Sequence, residues 1–399
     1  MSRGQRIAID VTPFLASSTG VGVYVRELVG ALLATSPTDG SERLCLFAFS
    51  VRMGARARLS AAFPGGAPEI RVRYAPPRCI AALTDGSAWP DAETLVGPAD
   101  VCHMSHLWVP AGKRTAVVVT VHDLTPILFP QFHLASNRFT EDQLRRRLDR
   151  ADLVIVPSQS TANDLAGILG SGGKSLRIIP LGVGGNFKPL ARGHRHVLKE
   201  LGIDGEFLLA VGSLEPRKNL PRLFEAMRLL KDQLRLPHKL VVVGPKGWLN
   251  EPIYASVHRL RLESSVIFTG FVDVEILNVL YNEAELLVFP SLYEGFGFPP
   301  LEAMAAGCPV AVSRASSLPE VVGGAGAYFD PVDVEDIARA VSDLIASPEV
   351  RQKRASAGLE RSRKFSWERT AEQTRQAWRE AIGIRHAARD RWGRSLRLI

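Results

Sequence analysis

Leu286-Leu-Val-Phe-Pro-Ser-Leu-Tyr-Glu-Gly-Phe-Gly-Phe-Pro-Pro-Leu-Glu302 is the stretch that decides how this chain is read. Its four leading apolar residues describe a strand buried on both faces, as in a parallel sheet covered by helices. Pro299 and Pro300 suit a helix start, Gly307 suits its end and Pro309 bars continuation. The loop between strand and helix carries Glu294, Gly295 and Gly297. Glycines there let backbone N–H groups turn inward, and the helix start adds partial positive charge. Carboxylates that accept from hydroxyls, beside backbone donors that receive anionic oxygens, fit a ligand carrying both diols and phosphate. Glu294 alone would read as a loop acid and Glu302 as a residue that favours the helix dipole. Together with the glycine loop they read as a site.

Outward from this stretch the same alternation recurs. Apolar runs at 6–11, 44–49, 101–104, 116–121, 153–156 and 176–179 precede a break near 180–195, where Pro, Gly, Asn and basic residues replace periodicity. A second series follows at 207–211, 240–243, 266–269, 286–289 and 310–312. Two series of buried strands separated by helices predict an α/β protein with two Rossmann-like, doubly wound domains. A length of 399 residues agrees with two domains. The stretch 50–100 offers no legible motif.

Composition excludes several classes. With 46% apolar and 23% charged residues the chain is globular. Its apolar runs have strand length, too short for a membrane helix. The amino terminus leads straight into a strand-like run, so no signal peptide is expected. The four cysteines lack paired spacing, which fits a reducing cytosol without structural zinc. A cytoplasmic protein is expected. The net charge of +8 is concentrated at the carboxyl end, where 14 Lys and Arg face five Asp and Glu from Arg351 onward. Such a segment meets either solvent or an anionic membrane surface, placing the protein peripherally on the inner face of the plasma membrane. Nucleic acid is not expected, since no basic-aromatic repeat is present.

Open parallel sheets bind ligands beyond the carboxyl ends of their strands. The loops at those positions hold His122-Asp123, Gly212-Ser213, Glu215-Pro-Arg217-Lys218-Asn219, Gly244-Pro-Lys-Gly247 and Gly270-Phe271-Val272. Cations among glycines suit phosphate. A solvated Arg217-Lys218 pair before a helix capped by Asn219 is the plainer reading. Ser18-Thr-Gly20-Val-Gly22-Val-Tyr24 fails as a dinucleotide fingerprint, because Val25 occupies the third glycine position. No Asp-x-Asp occurs, so neither a divalent metal nor another cofactor is expected.

The spacing of seven residues between Glu294 and Glu302 resembles the family-four, GT-B-fold retaining glycosyltransferases. Gly212-Ser-Leu-Glu-Pro-Arg-Lys-Asn219, Val266-Ile-Phe-Thr-Gly-Phe-Val272 and Ala151-Asp-Leu-Val-Ile-Val-Pro-Ser158 extend the resemblance, which runs from about Arg6 to Gln376. It implies two domains facing a cleft: an acceptor-side domain at 1–187, a donor domain at 188–365, and a crossing helix with a basic tail at 366–399.

The resemblance also implies roles. Glu294 would bind the donor sugar's hydroxyls, with the backbone at Phe296, Gly297 and Phe298. Glu302 would hold the ribose, and the Leu301 amide would meet the diphosphate. Arg217 and Lys218 would neutralise the leaving diphosphate, with Ser213 standing where many relatives carry arginine. Gly270, Phe271 and Val272 would meet the base. His122 would contact a sugar hydroxyl near C6, and Gly20 and Gly22 would approach donor phosphate and acceptor. Catalysis would be a metal-independent front-face displacement, with the departing phosphate helping to deprotonate the acceptor.

Residues 122–130 and 215–219 are most similar to mannosyltransferases of bacterial surface-polysaccharide assembly. That similarity implies GDP-mannose as nucleotide-sugar donor and a glycan or lipid-linked acceptor, as in lipopolysaccharide synthesis. Another donor, UDP-hexose or a dTDP- or GDP-deoxyhexose, is the alternative. A GT-B-fold nucleotide-sugar epimerase follows it.

Overall fold

The computed structural model describes residues 4–15, 19–64, 69–76, 79–80, 82–83, 89–170, 174–191 and 193–395. Among them, two sheets form, and every pairing within them is parallel. The first contains β1 (Gln5–Asp10), β2 (Glu42–Phe49), β3 (Glu69–Arg73), β4 (Val101–Met104), β5 (Ala116–Thr120), β6 (Leu153–Val156) and β7 (Ser175–Ile178). Its order is β3-β2-β1-β4-β5-β6-β7. The second contains β8 (Phe207–Val211), β9 (Lys239–Val243), β10 (Val266–Gly270), β11 (Leu286–Phe289), β12 (Val310–Ser313) and β13 (Ala327–Phe329). Its order is β10-β9-β8-β11-β12-β13.

Both sheets reverse direction of growth once, between β1 and β4 and between β8 and β11. Loops leave the two sides of each reversal in opposite directions, so a crevice opens at the carboxyl ends of those strands. The central strands are apolar throughout because helices cover both faces. Leu286, Leu287, Val288 and Phe289 of β11 are all buried. Burial of each such side chain contributes roughly 1.5–3 kcal/mol.

The chain divides into two compact units, Met1–Ile127 with Phe139–Gly182 and Trp367–Ile399, and Leu128–Arg138 with Val183–Ser366. Leu128–Arg138, expected in the first domain, therefore groups with the second. The Phe129 ring lies 5.5 Å from that of Tyr293, and Trp248 Nε1–H donates to the Phe132 carbonyl at 2.6 Å.

The helix Trp367–Ser395 belongs to the first unit and is fastened there by its basic residues. Arg375 pairs with Glu42 at 2.9 Å and donates to the Leu32 carbonyl and Thr35 Oγ1. Arg385 pairs with Asp152 at 2.8 Å. Part of the terminal positive charge thus satisfies carboxylates and carbonyls instead of facing solvent. No helix among the described residues is long and apolar enough to cross a membrane.

Candidate functional site

The reversal between β8 and β11 gathers the residues that the sequence singles out. After β8 the chain passes Gly212 and makes a short 3-10 turn, Pro216–Lys218, before the helix Leu220–Leu234. Asn219 joins turn to helix in the left-handed region, at φ 57°, which asparagine tolerates. Its side chain does not cap the helix. Nδ2 instead donates to the carbonyls of Pro290 and Pro331, at 3.1 and 2.7 Å, tying the turn to the loop after β11.

Gly212, at φ 149°, lets the Lys218 stem cross the strand end, where a Cβ would lie 2.9 Å from Lys218 Cε. The ammonium sits 5.0 Å from the centre of the Phe289 ring. A pocket opens there, lined by Gly212, Lys218, Phe289, Pro290 and Ser291.

Glu294 is only 8% exposed and is held by both cations. Lys218 Nζ donates to its Oε1 at 2.7 Å, and Arg217 Nη1 lies 2.7 Å from its Oε2. Arg217 also donates to the Tyr293 carbonyl at 2.7 Å and pairs with buried Glu215 at 2.6 Å. Two cations and two carboxylates therefore balance in a place with little water. Burial alone would raise the Glu294 pKa, but Arg217 and Lys218 more than offset this and hold it at about 2. Burial pushes Lys218 down, partly countered by Glu294.

The backbone of the glutamate loop is fixed by two serines beyond β12. Glu294 N–H donates to Ser316 Oγ at 2.7 Å. Ser317 Oγ lies 2.8 Å from the Glu294 carbonyl and 2.7 Å from that of Phe296, its single hydrogen shared between them. Neither serine stands out in sequence. Both lie after a buried strand, where the carboxyl-end rule points.

The helix Phe298–Ala306 starts at Gly297, φ 112°, and ends at Gly307, φ 85°, with Pro299 and Pro300 in its first turn. Those prolines leave few amides for an anion, and the Leu301 N–H is directed at the Gly297 carbonyl, 3.4 Å away. Leu301 is fully buried. The sequence reading gives this amide to the diphosphate; within the chain it faces the Gly297 carbonyl over a long contact. Glu302 receives a hydrogen bond from the buried Tyr281 hydroxyl at 2.9 Å, which fixes the carboxylate's orientation. Tyr281 carries no motif and is legible only from the fold.

The other candidates are placed as follows. Gly270 ends β10 at φ 74°, and its carbonyl accepts from Gly244 N–H at 2.9 Å. Phe271 beside it is 57% exposed, and Val272 and Ser213 are half-buried. Phe296 is buried, with ring contacts to Phe298 and Phe365 at 5.9 Å each.

In the first unit, Gly20 and Gly22 form the first turn of the helix Gly20–Ala34, where Thr19 Oγ1 accepts from Gly22 N–H at 3.2 Å. Ser18 lies outside the described residues. His122 donates from Nε2 to the Ser105 carbonyl at 2.9 Å, and its ring meets that of Tyr24 edge-on at 4.7 Å. Burial lowers its pKa to about 4, so the ring is neutral and Nδ1 is left as an acceptor.

A group of metal-type ligands, Glu206, His238 and Glu285, stands at the amino ends of β8, β9 and β11, the opposite end of the sheet from Glu294. His238 Nε2 lies 3.1 Å from Glu285, which Arg351 also approaches at 3.4 Å. This is an ion cluster at the foot of the sheet.

Comparison with known proteins agrees with this geometry. Residues 198–361 match the model for glycosyl transferases group 1, and residues 18–184 match that for glycosyltransferase family 4. The chain is 31% identical over 282 residues to O-antigen chain mannosyltransferase B of Escherichia coli, a match spanning 70% of this chain and 74% of the relative. It is 34% identical over 262 residues to the serotype-specific mannosyltransferase WbdA of Escherichia coli, spanning 64% of this chain but 32% of that longer protein. Among solved structures, sucrose-phosphate synthase of Thermosynechococcus elongatus superposes with a TM-score of 0.74 at 23% identity, over 95% of this chain and 99% of the other. The chain belongs to the family-four, group 1 glycosyltransferases and is a hexosyltransferase of GT-B fold.

Proposed function

We propose that the chain transfers mannose from GDP-mannose, with retention, to a glycan or lipid-linked glycan during polysaccharide assembly. The observation that carries this reading is the Arg217–Glu294–Lys218 cluster at the reversal between β8 and β11. The two cations neutralise Glu294. An arriving diphosphate competes for them through charge-assisted hydrogen bonds, and Glu294, released, accepts from sugar hydroxyls. Negative charge grows on the diphosphate as its bond to the anomeric carbon breaks, so fixed cations lower the barrier without reorganising. Glu302 holds the ribose hydroxyls in the orientation that Tyr281 sets. His122 Nδ1 accepts from a hydroxyl of the hexose. Metal ions are not required.

The donor assignment is supported by the names of the relatives, since both Escherichia coli proteins are mannosyltransferases. Titration calorimetry in EDTA tests it without knowledge of the acceptor. GDP is expected to bind at least about tenfold more tightly than UDP or dTDP, a difference of about 1.4 kcal/mol. Tightest binding of UDP or dTDP would reject the donor. Binding restored only by added magnesium or manganese would reject the metal-independent mechanism.

The proposal extends to an anionic membrane surface as the place where the acceptor is met. Arg375 and Arg385 are committed to carboxylates, so the test must spare them. Deleting residues 391–399 removes Arg391, Arg394 and Arg397. Each basic residue near such a surface contributes about 1 kcal/mol. Sedimentation with vesicles of one-third phosphatidylglycerol at low salt is expected to show a clear loss of binding. Unchanged binding by the truncated chain would remove the tail from the account.

A further inference from the structure

Four buried hydrogen-bonding side chains from separate segments of the first unit meet end to end. Trp378 Nε1–H donates to His103 Nδ1 at 3.2 Å, and His103 Nε2 lies 2.8 Å from Thr120 Oγ1. Thr120 Oγ1 in turn lies 2.9 Å from the Tyr24 hydroxyl. Each of the four residues is at most 1% exposed.

The chemistry of the far end fixes the protons of the chain. An indole nitrogen can only donate, so His103 Nδ1 is an acceptor and carries no proton. Burial lowers the His103 pKa to about 3, so the ring is neutral and its one proton sits on Nε2. Thr120 Oγ1 therefore accepts from His103 and is joined to Tyr24 by the last bond. Trp378, a residue of the terminal helix, thereby sets the tautomer of a histidine on β4.

Tyr24 delivers this arrangement to His122. Thr120 and His122 stand two residues apart at the end of β5, as His103 and Ser105 do at the end of β4. The Ser105 carbonyl takes the Nε2 proton of His122, and the Tyr24 ring meets the imidazole at 74°. The terminal helix packs on β4, β5 and the helix Gly20–Ala34, the three elements that supply His103, Thr120 and Tyr24.

We propose that Trp378, His103, Thr120 and Tyr24 are positioning residues that hold the His122 ring with Nδ1 presented to the sugar. This role rests on the reading in which His122 Nδ1 accepts from a hydroxyl of the hexose. The four side chains are too deeply buried to meet substrate and act through the Tyr24 ring.

The full chain is assayed for release of nucleoside diphosphate from whichever of GDP-mannose, UDP-glucose or dTDP-rhamnose it turns over fastest. Thr120→Val replaces the central hydroxyl by a methyl group and is expected to lower kcat about tenfold, the scale of a small misplacement. The dissociation constant of the nucleoside diphosphate should change less than about twofold. Thr120→Ser restores the hydroxyl and should return kcat to within about threefold of wild type. Trp378→Phe, at the far end of the chain, keeps an aromatic ring without the N–H and should act in the same direction as Thr120→Val. In a His122→Ala background, Thr120→Val should cost less than about twofold more, because both changes act through one ring.

Nitrogen-15 spectra of the imidazoles read the arrangement without turnover. His103 and His122 are both expected as Nε2–H tautomers in the wild type, and Thr120→Val and Trp378→Phe should each shift the His122 signals. An Nδ1–H tautomer of His103, His122 signals unmoved by both variants, or the full Thr120→Val loss in the His122→Ala background would each overturn the positioning role. Normal turnover of His122→Ala would instead reject His122 as a sugar contact, and the spectra would still decide whether the chain holds its ring.

Discussion

Glu294→Ala is expected to lower turnover at least about 100-fold, the scale on which removal of one preorganised polar contact acts. The structure adds a second effect. Alanine removes the carboxylate that Arg217 and Lys218 both meet, in a site where all three side chains are mostly buried. Breaking one side of a buried ion cluster costs about 3–5 kcal/mol, so the thermal midpoint falls as well. Glu294→Gln separates the two effects, because it keeps shape and an acceptor oxygen while removing charge. It should fold nearer to wild type and still turn over poorly.

The pH dependence of stability carries the same signature. A carboxyl held at about 2 against an ordinary 4.5 gives stability that is complete above pH 4.5. That contribution is lost as pH falls through the window toward 2. Glu294→Gln should lose this part of the acid transition, as monitored by urea midpoints at successive pH values. Near-normal turnover in folded Glu294→Gln or Glu294→Ala would remove Glu294 from the site.

Most of the fold is legible because buried parallel strands write themselves as apolar runs. The expected runs at 101–104, 153–156, 207–211 and 286–289 coincide with β4, β6, β8 and β11. β3 was not legible. Its sequence, Glu-Ile-Arg-Val-Arg, alternates apolar and charged residues because it is an edge strand covered on one face. β13, three residues at the opposite edge of the second sheet, is too short to announce itself. Both lie where packing asks least of the side chains.

The site was legible as residues and not as contacts. Glu294 announces itself by its glycine loop and its spacing to Glu302, and Arg217 and Lys218 by standing among glycines after a strand. Lys218 and Glu294 stand 76 residues apart in sequence, with Arg217 next to Lys218, and the strand order β8-β11 brings them together. Ser316, Ser317 and Tyr281 were missed for the same reason. Each acts on a loop or helix contributed by a different segment, and nothing in its own neighbourhood records that.

Arg217→Gln and Lys218→Met are the second large pair of effects. Lys218→Met keeps the stem across Gly212 and over Phe289 while removing the charge. A hydrogen bond to a charged group contributes about 1.5–3 kcal/mol, so each variant should weaken GDP binding roughly 10- to 150-fold. The double variant should lose less than the product of the two, because both cations serve one diphosphate. Arg217→Gln also releases Glu215, a buried carboxylate paired with it at 2.6 Å, and should be the less stable of the two. GDP affinity unchanged in both variants would leave the cations with a purely structural role.

A crystal structure of the full chain with GDP-mannose, grown in EDTA, tests the central claim most directly. The account predicts diphosphate oxygens within hydrogen-bonding distance of Arg217 and Lys218, with at least one of their ion pairs to Glu294 opened and the Glu294 carboxylate accepting from hydroxyls of the hexose. A nucleotide bound elsewhere, or bound with both Glu294 ion pairs intact and the sugar away from the carboxylate, would contradict it.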